Sequence, residues 1–500
     1  MDLIINAPRT GIAPSAHTGI ADIRNLDIFS IPEIVKLNNP AVKKSSTTVV
    51  GLVKWIVSNP ATPTEKYALD DGGKVYKSTD SGATWVLMTG FTAGGHGNGL
   101  VIWKNYLFVA LDTTIDVCGD GTATGITDAN WTLDWETSAL DSDVLWHPML
   151  VSKNDNKLYI GAGRYVASLD ENTGQTFAPG TPATYTYTQQ ALDIPPNYRI
   201  KCLKELGNNL MCGTWMGTNV YDLRIADIFP WDRSSSSFGQ PIQIAEYGVH
   251  GMLNNGNYLI VLAGIEGKIY RSDGVNAVPI AQIPESIIQI AGGLYLEPMP
   301  GALINYKGRP FFGVSGGGTA TTIDGCGVYS LSITGSGTIL TLEHGISSGN
   351  FGATTNVKIG SLLEITKDSL AIGWKDETTY GIDLTDTAAY NTTYSAYFIS
   401  PFYNVGTSKQ PRKFIEIEFQ LVRPLRANEG IKVDYRNDLT ATFTNLGTWD
   451  YTTYGAEISH NQIFYKGTTS VDIPACENIQ LRISLTGSST SPELRSIILR

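Results

Sequence analysis

Charge is scarce in this chain: Asp, Glu, Lys and Arg make up 17% of its 500 residues, and the balance is acidic, with a formal net charge of -11. Gripping nucleic acid takes Lys and Arg clustered against phosphates, so that class of function is disfavoured. The adjacent pair Lys43-Lys44 reads as a solvated linker. Cysteine is scarce as well. Cys118, Cys202, Cys212, Cys326 and Cys476 are scattered, odd in number and free of any C-x-x-C spacing, which argues against a disulfide framework or a zinc site. No window carries the roughly 18 apolar residues of a membrane-crossing helix. The stretch from Met1 to Ser15 has only the short apolar run Leu3-Ile4-Ile5 and no basic residue before it, so it does not read as a secretory signal. Synthesis and folding in the cytoplasm are expected. Helical periodicity is missing too: no sustained 3.6-residue apolar period begins with a cap and ends with a stop.

What is abundant is strand and turn material: 42% hydrophobic residues, 52 Gly and 24 Tyr. A chain this long exceeds the 250 to 300 residues or so at which single cores stop growing, which points to two domains.

An internal repeat organises most of the chain. A polar turn leads into a short apolar strand ending in a small residue, at Glu65 to Ala68, Asn105 to Ala110, Asn156 to Gly161, Asn208 to Gly213, Asn257 to Leu262, Gly308 to Gly313 and Asp368 to Gly373. The last residues of these seven copies lie 42, 51, 52, 49, 51 and 60 residues apart, each spacing sufficient for a four-stranded sheet with its loops. After most copies a brief turn precedes a second strand: Lys74-Val75-Tyr76, Arg164-Tyr165-Val166, Asn219-Val220-Tyr221, Lys268-Ile269-Tyr270 and Thr379-Tyr380-Gly381. Each pair reads as a hairpin, with Gly and Asp at the turn. A lone four-stranded sheet leaves both faces wet, so such sheets must stack round an axis. The expected fold is all-β: a β-propeller of about seven blades over residues 46–395, preceded by an N-terminal arm or closing strand (1–45) and followed by a C-terminal β-sandwich (396–500). Small residues at the strand ends fit crowding near the axis. The stretch Ile23 to Asn39, with Pro32, leaves two readings open: an outer strand that closes the ring, or an arm to a neighbour. Beyond Ser400 the alternation is cleaner, as in Lys413 to Phe419, Ile431 to Tyr435 and Ile479 to Ile483, which fits sheet-on-sheet packing with one wet face per strand.

Ser78-Thr79-Asp80-Ser81-Gly82-Ala83-Thr84-Trp85 follows the Asp-box pattern S-x-D-x-G-x-T-W. Asp80 can accept backbone N–H groups within the turn, Gly82 can adopt a left-handed conformation, and Trp85 can pack beneath. Ser168 to Phe177 looks like the same box with two residues inserted, and Arg271 to Gly274 like a truncated one. This box resembles that of sialidases and other propellers, where it is a fold device between outer strands. A sialidase-like glycoside hydrolase would further require an early F/Y-R-I-P motif and an arginine triad. The first seventy residues hold only Arg9 and Arg24, neither in that motif, and no acid and nucleophile pair stands out. A carbohydrate-binding propeller using Trp131 or Trp135 is a third reading.

No catalytic, cofactor or metal residues are assigned. The run Gly94 to Gly99 neither follows a clear strand nor opens a helix, so it is not a phosphate cradle. His17, His96, His147, His250, His344 and His460 form no metal-site spacing. Asp112, Asp116, Asp120 and Asp128 offer oxygen ligands of the kind Ca²⁺ prefers, but not at calcium-loop spacing, and they read as solvated turns.

The segment Ile23 to Asn39, the Asp-box blade Tyr67 to Trp85, and the C-terminal stretches Phe398 to Leu425 and Ile431 to Trp449 resemble virion proteins of tailed bacteriophages, in which a propeller is joined to a small β-domain. That resemblance implies a non-enzymatic structural part of the virion tail, such as a nozzle. It would assemble in the host cytoplasm as a cyclic homo-oligomer, a hexamer for example. It implies contacts with other tail or adaptor proteins, genomic DNA passing only through the channel, and no membrane insertion. An acidic lumen from which DNA slides would suit such a part.

Overall fold

The computed structural model describes residues 2–6, 8, 20–31, 33–45, 49–91, 95–136, 140–142, 144–216, 226–283, 295–296, 298–317, 326–334, 337–347, 357–385, 389–390, 396–454, 462–466 and 473–500. The strand expected at Asn219 to Tyr221, together with Pro32, Gly94, His17 and His460, lies outside them. The chain divides into two compact units: residues 42–327 with 346–384, and residues 1–41 with 328–345 and 385–500.

The first unit is a β-propeller. Five antiparallel four-stranded sheets follow one another in chain order, and we number them blades 1 to 5: Val53–Ser58 to Val86–Leu87, Gly99–Trp103 to Trp131–Glu136, Met149–Val151 to Tyr185–Asp193, Tyr198–Leu206 to Ile242–Ile244, and Val249–Asn254 to Ala277–Gln282. The hairpin Leu303–Tyr306 with Arg309–Val314 comes sixth, and Val357–Thr366, Ser369–Asp376 and Thr379–Thr385 form blade 7. Contact passes from the first strand of each blade to the first strand of the next, and from Val357–Thr366 back to Val53–Ser58. Among its described residues the first unit thus carries six four-stranded sheets and the hairpin round a closed circuit.

All seven repeated segments lie on the second strand of their blade, and the described side chains of those strands are almost all buried. Both faces of these strands pack against neighbours, which is why they read as unbroken apolar runs. Their small terminal residues mark where the following blade comes close. A Cβ on Gly161 would lie 2.9 Å from Ile200 Cγ2, one on Gly213 2.7 Å from Val249 Cγ1, and one on Gly373 2.9 Å from Val53 Cβ. The core accordingly lies between blades. One cluster joins Leu69 and Val75 of blade 1 to Leu107 and Val109 of blade 2, another joins Phe108 of blade 2 to Ile160 of blade 3, and a third joins Ala68 and Tyr76 of blade 1 to Ala371 and Ile382 of blade 7. Burial of this kind stabilises by roughly 25 cal/mol per Å² of apolar surface.

Blade 7 obtains its fourth strand from the other end of the sequence. Ala41–Lys43 pairs along Thr379–Thr385, and Lys44 N donates to Ile382 O at 2.9 Å. The closing strand therefore follows Ile23 to Asn39 instead of lying within it.

The second unit contains two main sheets. One orders Leu3–Asn6, Leu494–Leu499, Glu416–Leu421 and Gln462–Lys466. The other runs from Gly327–Thr334 and Gly337–His344 through Asp22–Arg24, Ala396–Ile399, Asn478–Thr486 and Gly430–Arg436 to Thr444–Asp450. Phe419 of the first meets Trp449 of the second at 4.9 Å between ring centroids. Residues 328–345 belong here because Asp22–Arg24 pairs in parallel with Gly337–His344. The expected alternation is present, with Ile431, Val433, Ile479, Leu481 and Ile483 fully buried. The polar face is not simply wet, however. Asp434 and Gln480 are also buried, and Arg482 satisfies Asp434 through two bonds of 3.0 and 2.7 Å.

Candidate functional site

The Asp-box lies in the turn between the third strand of blade 1 (Val75–Ser78) and the fourth (Val86–Leu87). Ser78 Oγ donates to Asp80 Oδ1 at 2.8 Å and accepts Gly82 N at 2.8 Å, while Thr84 donates its N–H (2.8 Å) and hydroxyl (2.6 Å) to the Asp80 carboxylate. Ser81 and Gly82 take φ of 59° and 84°. Slight burial raises the Asp80 pKa, but the bonds from Thr84 and Ser78 outweigh it and hold the carboxyl below its usual value. Trp85 is buried, and its Nε1 donates to Gly82 O at 3.1 Å. In the second box Phe177 takes the place of Trp85, fully buried between blades 2 and 3. In the third, Asp273 accepts the N–H groups of Val275 and Asn276. The Asp80 and Asp273 carboxylates are thus occupied in holding their own turns, while in the second box Asp170 pairs with Lys157 and Glu171 with Lys104 of blade 2.

The four aspartates of the 112–128 loop separate. Asp112 Oδ1 lies 3.1 Å from His96 Nδ1, Asp116 accepts Asp134 N at 2.6 Å, Asp120 accepts Thr122 N at 2.9 Å, and Asp128 accepts Thr89 N at 3.0 Å. Among the described residues no three His, Cys, Asp or Glu side chains come together as a metal site. The Gly95 to Gly99 run serves close packing: a Cβ on Gly97 would lie 2.1 Å from Asp70 O, and one on Gly99 2.0 Å from His147 O. Trp131 and Trp135 are half-buried and do not stand out as sugar platforms. Trp131 stacks on Phe91 at 4.6 Å, and Trp135 packs edge-on against Phe108 at 5.8 Å. The propeller arginines are dispersed, Arg164 pairing with Asp193 and Arg233 with Glu205. The cysteines are free and buried, and burial pushes the Cys118 and Cys202 thiols up to about 12.

The polar cluster that does assemble is one the sequence did not single out. The first strands of blades 1, 4, 5 and 7 shift register at Lys54, Lys201, His250 and Gly360 respectively, the blade 7 strand shifting a second time at Ile365. A bulge of this sort re-aims the extra residue. Lys54 Nζ donates to Asn98 Oδ1 of blade 2 at 3.0 Å and to Leu145 O at 2.7 Å, and sits 4.1 Å from the centroid of the Trp146 ring at the entry to blade 3. Lys201 Nζ of blade 4 lies 5.4 Å from that ring and 2.8 Å from His250 Nδ1 of blade 5. A Cβ on Gly301, ahead of the sixth hairpin, would lie 2.1 Å from Lys54 O and 3.0 Å from Gly360 O. Blades that are not neighbours can meet only at the axis, so these contacts place Lys54, Trp146, Lys201, His250 and Gly301 there. Lys54, Lys201 and His250 are all at least 95% buried, so the axis at this level is filled with side chains. Nearby, burial lowers His147 to about 4, keeping it neutral between Gly161 O and Asp112 O. The sequence signal was present as a Lys or His interrupting an apolar first strand: VKWIV at Val53 to Val57, IKCL at Ile200 to Leu203 and VHGML at Val249 to Leu253.

A shallow groove of about 300 Å³ lies at the rim between blades 1 and 2, lined by Lys77, Val86, Leu87, Met88, Thr127 and Asp128 among others. No described helix is long and apolar enough to cross a membrane.

No protein-family model matches the chain, and no curated protein matches it. Solved propellers are similar in fold. YCF48 bound to D1 peptide is 10% identical at a TM-score of 0.43, covering 75% of this chain and 99% of that one. The RRP9 WD40 repeats are 13% identical at a TM-score of 0.42, covering 69% and 98%. The β-propeller domain of Myceliophteria thermophila Cps50 (Swd1) is 12% identical at a TM-score of 0.44, covering 70% and 100%.

Proposed function

We propose that this chain is a non-enzymatic structural and interaction protein, a subunit of a bacteriophage tail that assembles into a ring of identical copies and docks on other tail proteins. The observation that carries the non-enzymatic part is the occupation of the axis. At the axis, Lys54, Trp146, Lys201 and His250 are buried against one another, which leaves no open cavity among them. Function then falls to the outer surface. The phage assignment draws its support from the resemblance of the segments Ile23 to Asn39, Tyr67 to Trp85, Phe398 to Leu425 and Ile431 to Trp449. If DNA passes such an assembly, its path is the lumen of the ring and not the axis of one propeller, since a duplex cannot traverse a bore crossed by these side chains.

A repeated heterologous interface closes into a ring, so the expected form is a cyclic oligomer. Light scattering on the purified chain tests this, and a strict monomer at every concentration contradicts it. The glycoside hydrolase alternative predicts turnover of fluorogenic sialosides that is lost on mutating one carboxylate; its absence leaves the structural reading standing.

A further inference from the structure

The fourth strand of blade 2, Trp131–Glu136, is held by an unusual arrangement. Ile115 faces Glu136 and Val117 faces Thr132, so Leu133, Asp134 and Trp135 together stand opposite the single residue Asp116. Asp134 takes a left-handed φ of 48° at this bulge and donates its N–H to Asp116 Oδ1 at 2.6 Å. The bend exposes Leu133 and turns Trp135 inward, where it lies 5.0 Å from Tyr185 of blade 3. The Asp116 carboxyl is thus the fastening for a strand whose regular ladder is interrupted, and it is 2% exposed.

We propose that Asp116 is a proton-operated clasp, whose protonation state sets how firmly the outer strand Trp131–Glu136 is held to blade 2. Facing it from the outer strand is one acid, Asp134, while Glu136 of the same strand stands opposite Ile115. The second strand of the blade, Tyr106–Ala110, presents Val109 opposite Asp116 and contains no charged residue. Across the gap to blade 1, Lys77 is engaged by Glu65 at 3.0 Å. Burial raises the Asp116 carboxyl, the Asp134 carboxylate adds to that, and the Asp134 N–H opposes it; the balance leaves the group at about 6. An unfolded Asp titrates near 3.9, so the folded state holds this proton the more tightly. Stability therefore falls as pH rises from about 4 to about 6, and above that the loosening is complete. The same strand carries Trp131 and the exposed Leu133 on the rim, so the clasp couples pH to the mobility of an outer surface.

Hydrogen exchange on the full chain tests this, comparing amides of residues 131–136 at about pH 5 and about pH 7.5 after correction for intrinsic rates, with Ala277–Gln282 of blade 5 as reference strand. Two pKa units correspond to a hundredfold only well below about pH 4; between about pH 5 and about pH 7.5 the limit is about tenfold, and with solvent screening a loss of protection of about threefold at the higher pH is expected in the native chain. Asp116→Asn should reduce the pH dependence to the part left by Glu136, whose carboxyl burial also raises, and Asp134→Asn, which keeps Asp116, should move its midpoint to lower pH. An unchanged profile in Asp116→Asn, an unmoved midpoint in Asp134→Asn, or no pH dependence in the native chain overturns the proposal.

Discussion

Gly301→Ala isolates the crowding at the propeller axis. The glycine is not in the left-handed region, so alanine suits its backbone and the whole cost is steric. A Cβ there would lie 2.1 Å from Lys54 O and 3.0 Å from Gly360 O, both backbone atoms on different blades. Relief requires one blade to retreat by about 1 Å, and close-packed interiors resist that: overpacking by a single methyl costs typically 1–3 kcal/mol, more when no flexible side chain can yield. We expect about 3 kcal/mol or more. Gly180→Ala is the matched control. Its φ is +75° and nothing lies within 4 Å of the added carbon, so it carries only left-handed backbone strain, about 1–2 kcal/mol. Urea unfolding followed by tryptophan fluorescence compares the two, with Trp146 on the axis as a reporter. If Gly301→Ala is no less stable than Gly180→Ala, the blades do not meet at the axis as described.

Trp85→Ala should destabilise blade 1 by about 3–5 kcal/mol in thermal denaturation, as for other buried aromatic truncations, while Asp80→Ala should cost only about 1 kcal/mol because that carboxylate is exposed. Since the Asp80 pKa is lowered on folding, its contribution is present at neutral pH and disappears as pH falls through the folded value, so native and Asp80→Ala chains should converge in strongly acidic urea titrations. Lys44→Pro removes the N–H bonded to Ile382 O and should loosen the closing strand Ala41–Lys43, read as faster hydrogen exchange in Thr379–Thr385.

The propeller was legible because its second strands are sandwiched on both faces, giving apolar runs such as Tyr67 to Leu69 and Leu259 to Leu262 that recur at blade spacing. The Asp-box was legible because its function is local: the side-chain bonds of Ser78, Asp80, Thr84 and Trp85 fall within eight residues, Ser78 to Trp85, while the Ser81 N–H reaches outside, to Thr64 O. The long-range features were not. That Asp22–Arg24 pairs with Gly337–His344, more than three hundred residues away, leaves no periodic trace in a three-residue strand. Nor does sequence reveal which strand closes blade 7, since Ala41–Lys43 has no pattern of its own. The axial residues were missed for a different reason: Lys54, Lys201 and His250 look like interruptions of apolar strands until the bulges that turn them inward are seen.

Native mass spectrometry of the purified chain, with electron micrographs of the same sample, addresses most directly the claim that this propeller is a building block rather than a free-standing catalyst. A single closed multiple of the chain mass, with particles showing rotational symmetry about an open lumen, is the predicted result. A monomer that persists at high concentration and turns over a glycoside would contradict it.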